Sequence, residues 1–179
     1  MKTLFALSAF VLLAAASPTP APKGNPQVDF DGFAQLTTDV RDYRRDRLVD
    51  LARFQAIARK RGALVLDARS ADAFARGHIK GAVNLPFTDF TAESLAATIG
   101  KADRPILIYC NNNFSNDEAP VKMKMMQLAL NIQTFVNLVG YGYRNVYELS
   151  EVVDFNDPKV RWVKGPEPAR PARRLATAG

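Results

Sequence analysis

The sequence predicts an α/β domain on a mostly parallel sheet, and three observations carry that expectation. Short continuous apolar runs at 63–66 and 105–109 have the character of strands buried on both faces. Between such runs lie amphipathic stretches; Leu51, Phe54, Ile57 and Ala58, for example, share one helical face. Glycines at 62, 77 and 100 then stand where helices should stop. A chain of 179 residues that is 47% hydrophobic can bury one proper core.

Residues 1–16 read as an export signal. Lys2 supplies the positive charge, 4–16 a short Leu/Ala-rich core, and Ala14, Ala15 and Ala16 the small residues before cleavage after Ala16. That core is shorter than the roughly 20 residues needed to span a bilayer, so no stable membrane anchor is expected once it is removed. No cysteine lies nearby to carry a lipid. The expected location is periplasmic or secreted. Residues 17–27 form a Pro-rich linker, 28–164 the folded domain, and 165–179 a basic Pro/Ala/Arg-rich tail expected to be disordered.

Within the domain, 28–45 is expected to be helical, 47–50 a short strand, and 51–61 a helix ended by Gly62. A strand follows at 63–67, a small helix at 70–76 ended by Gly77, and a strand at 82–85 stopped by Pro86. Residues 92–99 form a helix ended by Gly100, and 105–110 a strand. A polar turn at 111–116 leads to a helix expected over 117–128. Residues 134–139 read as β-prone, 140–142 as a turn and 145–149 as the last strand.

The formal charge is +6. Arginines 41, 44, 45, 47 and 53 contribute much of it, but Asp39, Asp42, Asp46 and Asp50 interleave with them. That is a solvated helix face rather than a nucleic-acid surface, and no nucleic-acid partner is expected. One cysteine and one histidine without clustered carboxylates imply no metal site of ordinary type. No nucleotide motif is present, so no cofactor is expected.

Cys110 is the only cysteine, and it cannot form an intramolecular disulfide. It closes an apolar strand just before the turn Asn111, Asn112, Asn113, Phe114, Ser115, Asn116. In a parallel sheet that is the ligand-binding edge. A ring of loop amides and a following helix N-terminus favour a thiolate there and can lower its pKa. The residues leave two readings: a nucleophile or sulfur carrier, or a buried inert thiol.

Two segments resemble the rhodanese-like domains. One is Leu66-Asp67-Ala68-Arg69-Ser70 with Phe74 and Gly77-His78-Ile79-Lys80-Gly81-Ala82-Val83-Asn84-Leu85-Pro86; the other is the strand ending in Tyr109-Cys110 with the later Gly142-Tyr143-Arg144-Asn145-Val146-Tyr147-Glu148-Leu149. The resemblance implies a three-layer fold with five parallel strands and helices on both faces. It implies a sulfurtransferase chemistry in which Cys110 carries a persulfide and the amides of 111–116 hold an anion. The partners would be a small sulfur-containing substrate or a thiol acceptor protein. The resemblance also makes His78 a turn and hydrogen-bond residue, and Asp67 and Arg69 are read as a structural pair beside the site.

The loop departs from the family pattern. It has no cation and no glycine, and Asn116 stands where phosphatase relatives place arginine. An asparagine is expected to take the left-handed conformation that glycine would supply. Lys122 and Lys124 are the candidates for the missing positive charge. The stretch 124–140 reads as an insertion, an added strand or a lid, with Asn137, Tyr141 and Tyr143 as possible lining. Core packing is the favoured role for the tyrosines and for Met123, Met125 and Met126. A second class of function therefore stands beside sulfur transfer: a non-catalytic binding or sensing module, or an envelope redox thiol.

Overall fold

The computed structural model describes residues 24–165. The export segment 1–16, residues 17–23 of the linker and 166–179 of the tail lie outside them. The described residues divide into two units, 24–30 and 31–165. The first contains a turn in which Val28 N–H donates to the Asn25 carbonyl (3.0 Å).

Five strands form the central sheet: β1 (Leu48–Val49), β2 (Leu64–Asp67), β4 (Ala82–Asn84), β5 (Ile106–Tyr109) and β6 (Val146–Leu149). Their order is β1-β6-β5-β2-β4, and every pairing is parallel. Short side-chain caps start the helices between them. Asp50 accepts from Arg53 N–H (2.7 Å) at the head of α2 (Leu51–Ala58), and Ser70 accepts from Ala73 N–H (3.2 Å) at α3 (Ala71–Arg76). Thr91 and Ser94 cap each other's backbone at α4 (Ala92–Ile99).

Successive strand residues face opposite layers. Leu64, Leu66, Ile106 and Ile108 pack with Val40 of α1 (Phe30–Arg45), Leu95 and Ile99 of α4, and Phe135, Val136 and Leu138 of α5 (Leu130–Gly140). Val65, Leu107 and Tyr109 face the other way, against Phe54 and Ile57 of α2 and against Phe114, Val121 and Val160. The three-layer expectation holds.

Four local expectations are corrected. Residues 117–128 are not helical: they run irregularly to a single 3-10 turn at Met126–Leu128. Pro120 interrupts the segment and biases its predecessor away from the helical region, while Asp117 N-terminal to it sits at φ 44°. The left-handed residue of this region is thus Asp117 and not an asparagine. Residues 134–139 are helical, as part of α5. Their β-branched content misleads, but Ile132, Phe135, Val136 and Val139 have helical spacing and face the core.

Third, His78 lies in a strand: β3 (His78–Ile79) pairs antiparallel with β7 (Trp162–Val163) in a separate small sheet. Gly77 is required there by space, since a β-carbon would fall 2.6 Å from Cε2 of Trp162. Fourth, Met123, Met125 and Met126 are exposed (51%, 68% and 77%) rather than packed in the core. The apolar anchors of the segment are Phe114 and Val121, both fully buried.

That division predicts contrasting variants. Phe114→Ala is expected to cost about 3–5 kcal/mol in urea unfolding, whereas Met125→Ala stays within about 0.5 kcal/mol.

Candidate active site around Cys110

Cys110 follows β5 directly, at the carboxyl edge of the sheet, and is 1% exposed. Asn111–Asn113 forms one 3-10 turn that curls back over it. Asn112 N–H points at Sγ (3.4 Å). The helix whose N-terminus reaches the sulfur is α5, beyond the irregular residues 114–129. Its Leu130 and Asn131 amides face Sγ, and Ala129 before them offers no capping side chain. The insertion relative to a simple strand–loop–helix therefore lies at 114–129, ahead of α5, rather than at 124–140.

The loop amides are largely spent elsewhere. Asn113 N–H donates to the Cys110 carbonyl (3.1 Å), Phe114 N–H to Asn111 (3.1 Å) and Ser115 N–H to Val153 (3.0 Å). Of these loop groups, Asn112 N–H is the one directed at the sulfur, and α5 supplies the rest of the cradle.

The asparagine side chains act as backbone substitutes, because a carboxamide both donates and accepts. Asn112 bonds both the N–H (3.0 Å) and the carbonyl (2.8 Å) of Lys124. Asn113 donates to the carbonyls of Leu149 (2.7 Å) and Glu151 (3.0 Å) and accepts from Cys110 N–H (2.9 Å). Asn116 donates to Asp154 (2.9 Å) and accepts from Phe155 N–H (3.1 Å). Phe114 is core, edge-on to Tyr109 and Trp162. Ser115 is exposed. Asn111, next in the chain to the cysteine, borders a cavity that Cys110 itself does not line, and its Oδ1 is buried without a hydrogen-bond partner.

That cavity measures about 390 Å³. Arg69, Pro86, Phe87, Asn111, Lys124 and Leu130 are among its walls. Arg69 and Lys124 are the basic residues among them. Of the two lysines expected to supply positive charge, Lys124 lines the cavity, whereas Lys122 is exposed and donates to the Asp117 carbonyl (3.1 Å). Asn137, Tyr141 and Tyr143 do not line the cavity. Tyr143 belongs to the core, and Tyr141 is 45% exposed.

Asp67 and Arg69 form a buried ion pair, with Arg69 Nη2 2.6 Å from Asp67 Oδ2. Tyr109 donates its hydroxyl to the same carboxylate (2.6 Å), and Arg69 also donates to the carbonyls of Gly77 (2.8 Å) and Pro120 (3.3 Å). The guanidinium borders the cavity but is committed to these acceptors. The pair ties the β2 edge to the start of β3 and to the insertion, as a structural element. Burial and the neighbouring Asp67 charge hold the Tyr109 hydroxyl well above its ordinary pKa. His78 stacks on Phe74 (3.7 Å between ring centres) and its Nδ1 bonds the Phe74 carbonyl (2.9 Å), so it too is structural.

Two functional-site residues escape sequence reasoning. Asn131, at the second position of α5, accepts the Cys110 S–H through its Oδ1. Glu148 lies on β6 on the same face of the sheet and is bridged by Arg44 of α1 (Nε–Oε2 2.7 Å, Nη2–Oε1 2.5 Å). The one sequence signal for Glu148 is a carboxylate set in a strand with Val146 and Leu149, where an unpaired charge would be costly.

Burial pushes the Cys110 thiol above its ordinary pKa, and the Glu148 charge adds to this. The amides of Asn112, Asn131 and Leu130 act in the opposite direction and do not offset it. The expectation of a lowered pKa is corrected: the cradle is present, but desolvation outweighs it. Glu148 is itself pushed up by burial, against the pull of Arg44 and Asn131. Among the described residues no cluster of three His, Cys, Asp or Glu side chains is placed to hold a metal. No helix there is long and apolar enough to cross a membrane.

A family model for the rhodanese-like domain matches residues 50–151, more than half the chain. The protein belongs to the rhodanese-like domain family. Among solved structures, the rhodanese-like domain of the Alr3790 protein from Anabaena is 22% identical, covering 49% of this chain and 76% of that one, with a TM-score of 0.37. BH2092 from Bacillus halodurans is 19% identical (63% and 73%, TM-score 0.40). EanB is 22% identical (57% and 23%, TM-score 0.43). No curated protein matches the sequence.

Two outcomes are expected from this geometry. Iodoacetamide should alkylate Cys110 slowly at neutral pH, with a rate that climbs through a midpoint above the ordinary thiol value of about 8.5. The same raised pKa contributes stability that is full below the unfolded thiol's pKa and falls as pH rises toward the folded one. Cys110→Ala should therefore flatten the alkaline limb of a stability–pH curve. Separately, Arg69→Leu is expected to cost about 3–5 kcal/mol, because it strands the Asp67 charge. The double variant Asp67→Asn/Arg69→Leu should lose less in the same melt.

Proposed function

We propose that the protein carries sulfane sulfur, taking up one sulfur atom on Cys110 as a persulfide and passing it to a thiol. The observation that carries this reading is the placement of Sγ at the carboxyl edge of the sheet. There it faces Asn112 N–H and the first amides of α5, and the adjoining residues Asn111 and Leu130 border a cavity. Those N–H groups suit an anionic persulfide.

In the first step the Cys110 thiolate attacks the sulfane sulfur of the donor. A new S–S bond forms, and the donor's old bond breaks with its electron pair leaving on sulfite or a thiolate. In the second step an acceptor thiolate attacks the outer sulfur and Cys110 leaves as the thiolate. Lys124 on the wall, with Arg69 committed to Asp67, supports a singly charged donor such as an organic persulfide over a dianion such as thiosulfate. Export to the envelope, supported by residues 1–16, is part of the proposal.

The near-complete burial of Cys110 and its raised pKa favour a second reading, a non-catalytic module or redox thiol on the same fold. Intact mass after exposure to polysulfide, with Cys110→Ser as control, separates the two. The carrier gains one sulfur on wild type alone, and cyanide or dithiothreitol removes it. An unchanged mass, with the thiol still open to alkylation at high pH, would replace the carrier by the second reading.

A further inference from the structure

We propose that Asn131 is a positioning residue whose carboxamide, oriented by Asn113, holds Cys110 as a protonated thiol in the resting protein.

The orientation follows from groups whose roles are not interchangeable. The carbonyls of Leu149 and Glu151 can only accept, so the side of Asn113 facing them must be its Nδ2. Cys110 N–H can only donate, and it meets Asn113 Oδ1 at 2.9 Å. Three backbone contacts therefore fix which way Asn113 points.

The same Asn113 Oδ1 lies 2.9 Å from the Asn131 side chain, which must then present Nδ2 to it. The Glu148 carboxylate also interacts with the Asn131 side chain in a way that favours its charged form. Asn113 Oδ1 holds the NH2 end of Asn131, and the remaining Oδ1 faces Cys110 Sγ. A carbonyl oxygen cannot donate, so the sulfur must: the network is complete only when Sγ carries a proton. A thiolate in this position would meet a carbonyl oxygen, with the Glu148 carboxylate behind it. Turning the Asn131 amide to offer Nδ2 to the sulfur would set its oxygen against Asn113 Oδ1.

The charged surroundings are consistent from every side. On the Cys110 face, Glu148 of β6 is the ionisable group whose charge reaches the sulfur, and Arg44 of α1 pairs with it. Tyr109, Asp67 and Arg69 are engaged with one another, and Tyr109 packs in the opposite layer. α5 contributes the Leu130 and Asn131 amides, which favour the anion and compete directly with the Asn131 carbonyl. The site thus contains both a thiol-holding acceptor and a thiolate-holding cradle within one helix turn. Activation then amounts to withdrawing the Asn131 oxygen while the amides stay.

This inference concerns the proton on the same sulfur that the carrier function uses, but its readout is independent of sulfur uptake, so the two fail separately. With one cysteine in the chain, the infrared S–H stretch reports on Cys110 alone, with Cys110→Ser as the blank. The folded wild type at neutral pH should show an S–H band at lower frequency than an exposed thiol. In Asn131→Ala the band should move toward the exposed-thiol position. The midpoint of the iodoacetamide pH profile should fall by about one unit, a tenfold gain in thiolate at a given pH. No S–H band in the wild type, or a band at the exposed-thiol frequency, would overturn the proposal, and this reading stands on the wild type even where the variant fails to fold. A band that Asn131→Ala leaves in place would overturn it equally.

Discussion

The carboxamide of Asn113 is the junction on which the carboxyl end of the sheet depends. It joins the backbone at Cys110 to the carbonyls of Leu149 and Glu151 and to the side chain of Asn131. One side chain thereby unites the end of β5, the chain leaving β6 and the start of α5. A loop without glycine or cation can hold its shape here because asparagines stand in for backbone groups. Asn112 does the same for Lys124, and Asn116 for 154–155. Removing such a link leaves buried donors and acceptors unmet, which costs more than the bond itself contributes.

The insertion at 114–129 is accommodated by the same device. Its first half is nailed into the α2-side core by Phe114 and Val121, and its second half lies over the surface with its methionines exposed. The chain then returns so that α5 still begins against Cys110. Helix and cysteine keep their spatial relation although the segment between them is long, because α5 is placed by its own apolar face against Leu66, Ile106 and Ile108. The site is set by packing of the helix rather than by the length of the loop.

Two ion pairs brace the region, one buried and one partly exposed. Asp67–Arg69, with the Tyr109 hydroxyl, ties β2 to the insertion and to β3. Glu148–Arg44 ties β6 to α1 and sets a carboxylate behind Asn131. The first has no free capacity for a ligand. The second bears on the sulfur directly, since the Glu148 charge disfavours the thiolate.

Apart from β3, the order of strands and helices through Ile108 was legible because these elements carry local signals: buried apolar runs, helical spacing of apolar residues, and glycine at helix ends. The family was legible because the segment from Leu66 to Pro86 is a contiguous pattern. Beyond Cys110 local signals mislead. The β-branched residues of α5 look like a strand, and 117–128 looks helical until the effect of Pro120 is given its weight. Position at the sheet edge singled out Cys110 and its loop from the sequence alone. What the loop residues do was decided by tertiary structure: hydrogen-bond roles depend on which groups from β6, α5 and the insertion arrive opposite each asparagine. The thiol's proton was decided the same way, since desolvation and the orientation of Asn131 are properties of the assembled site and not of any stretch of chain.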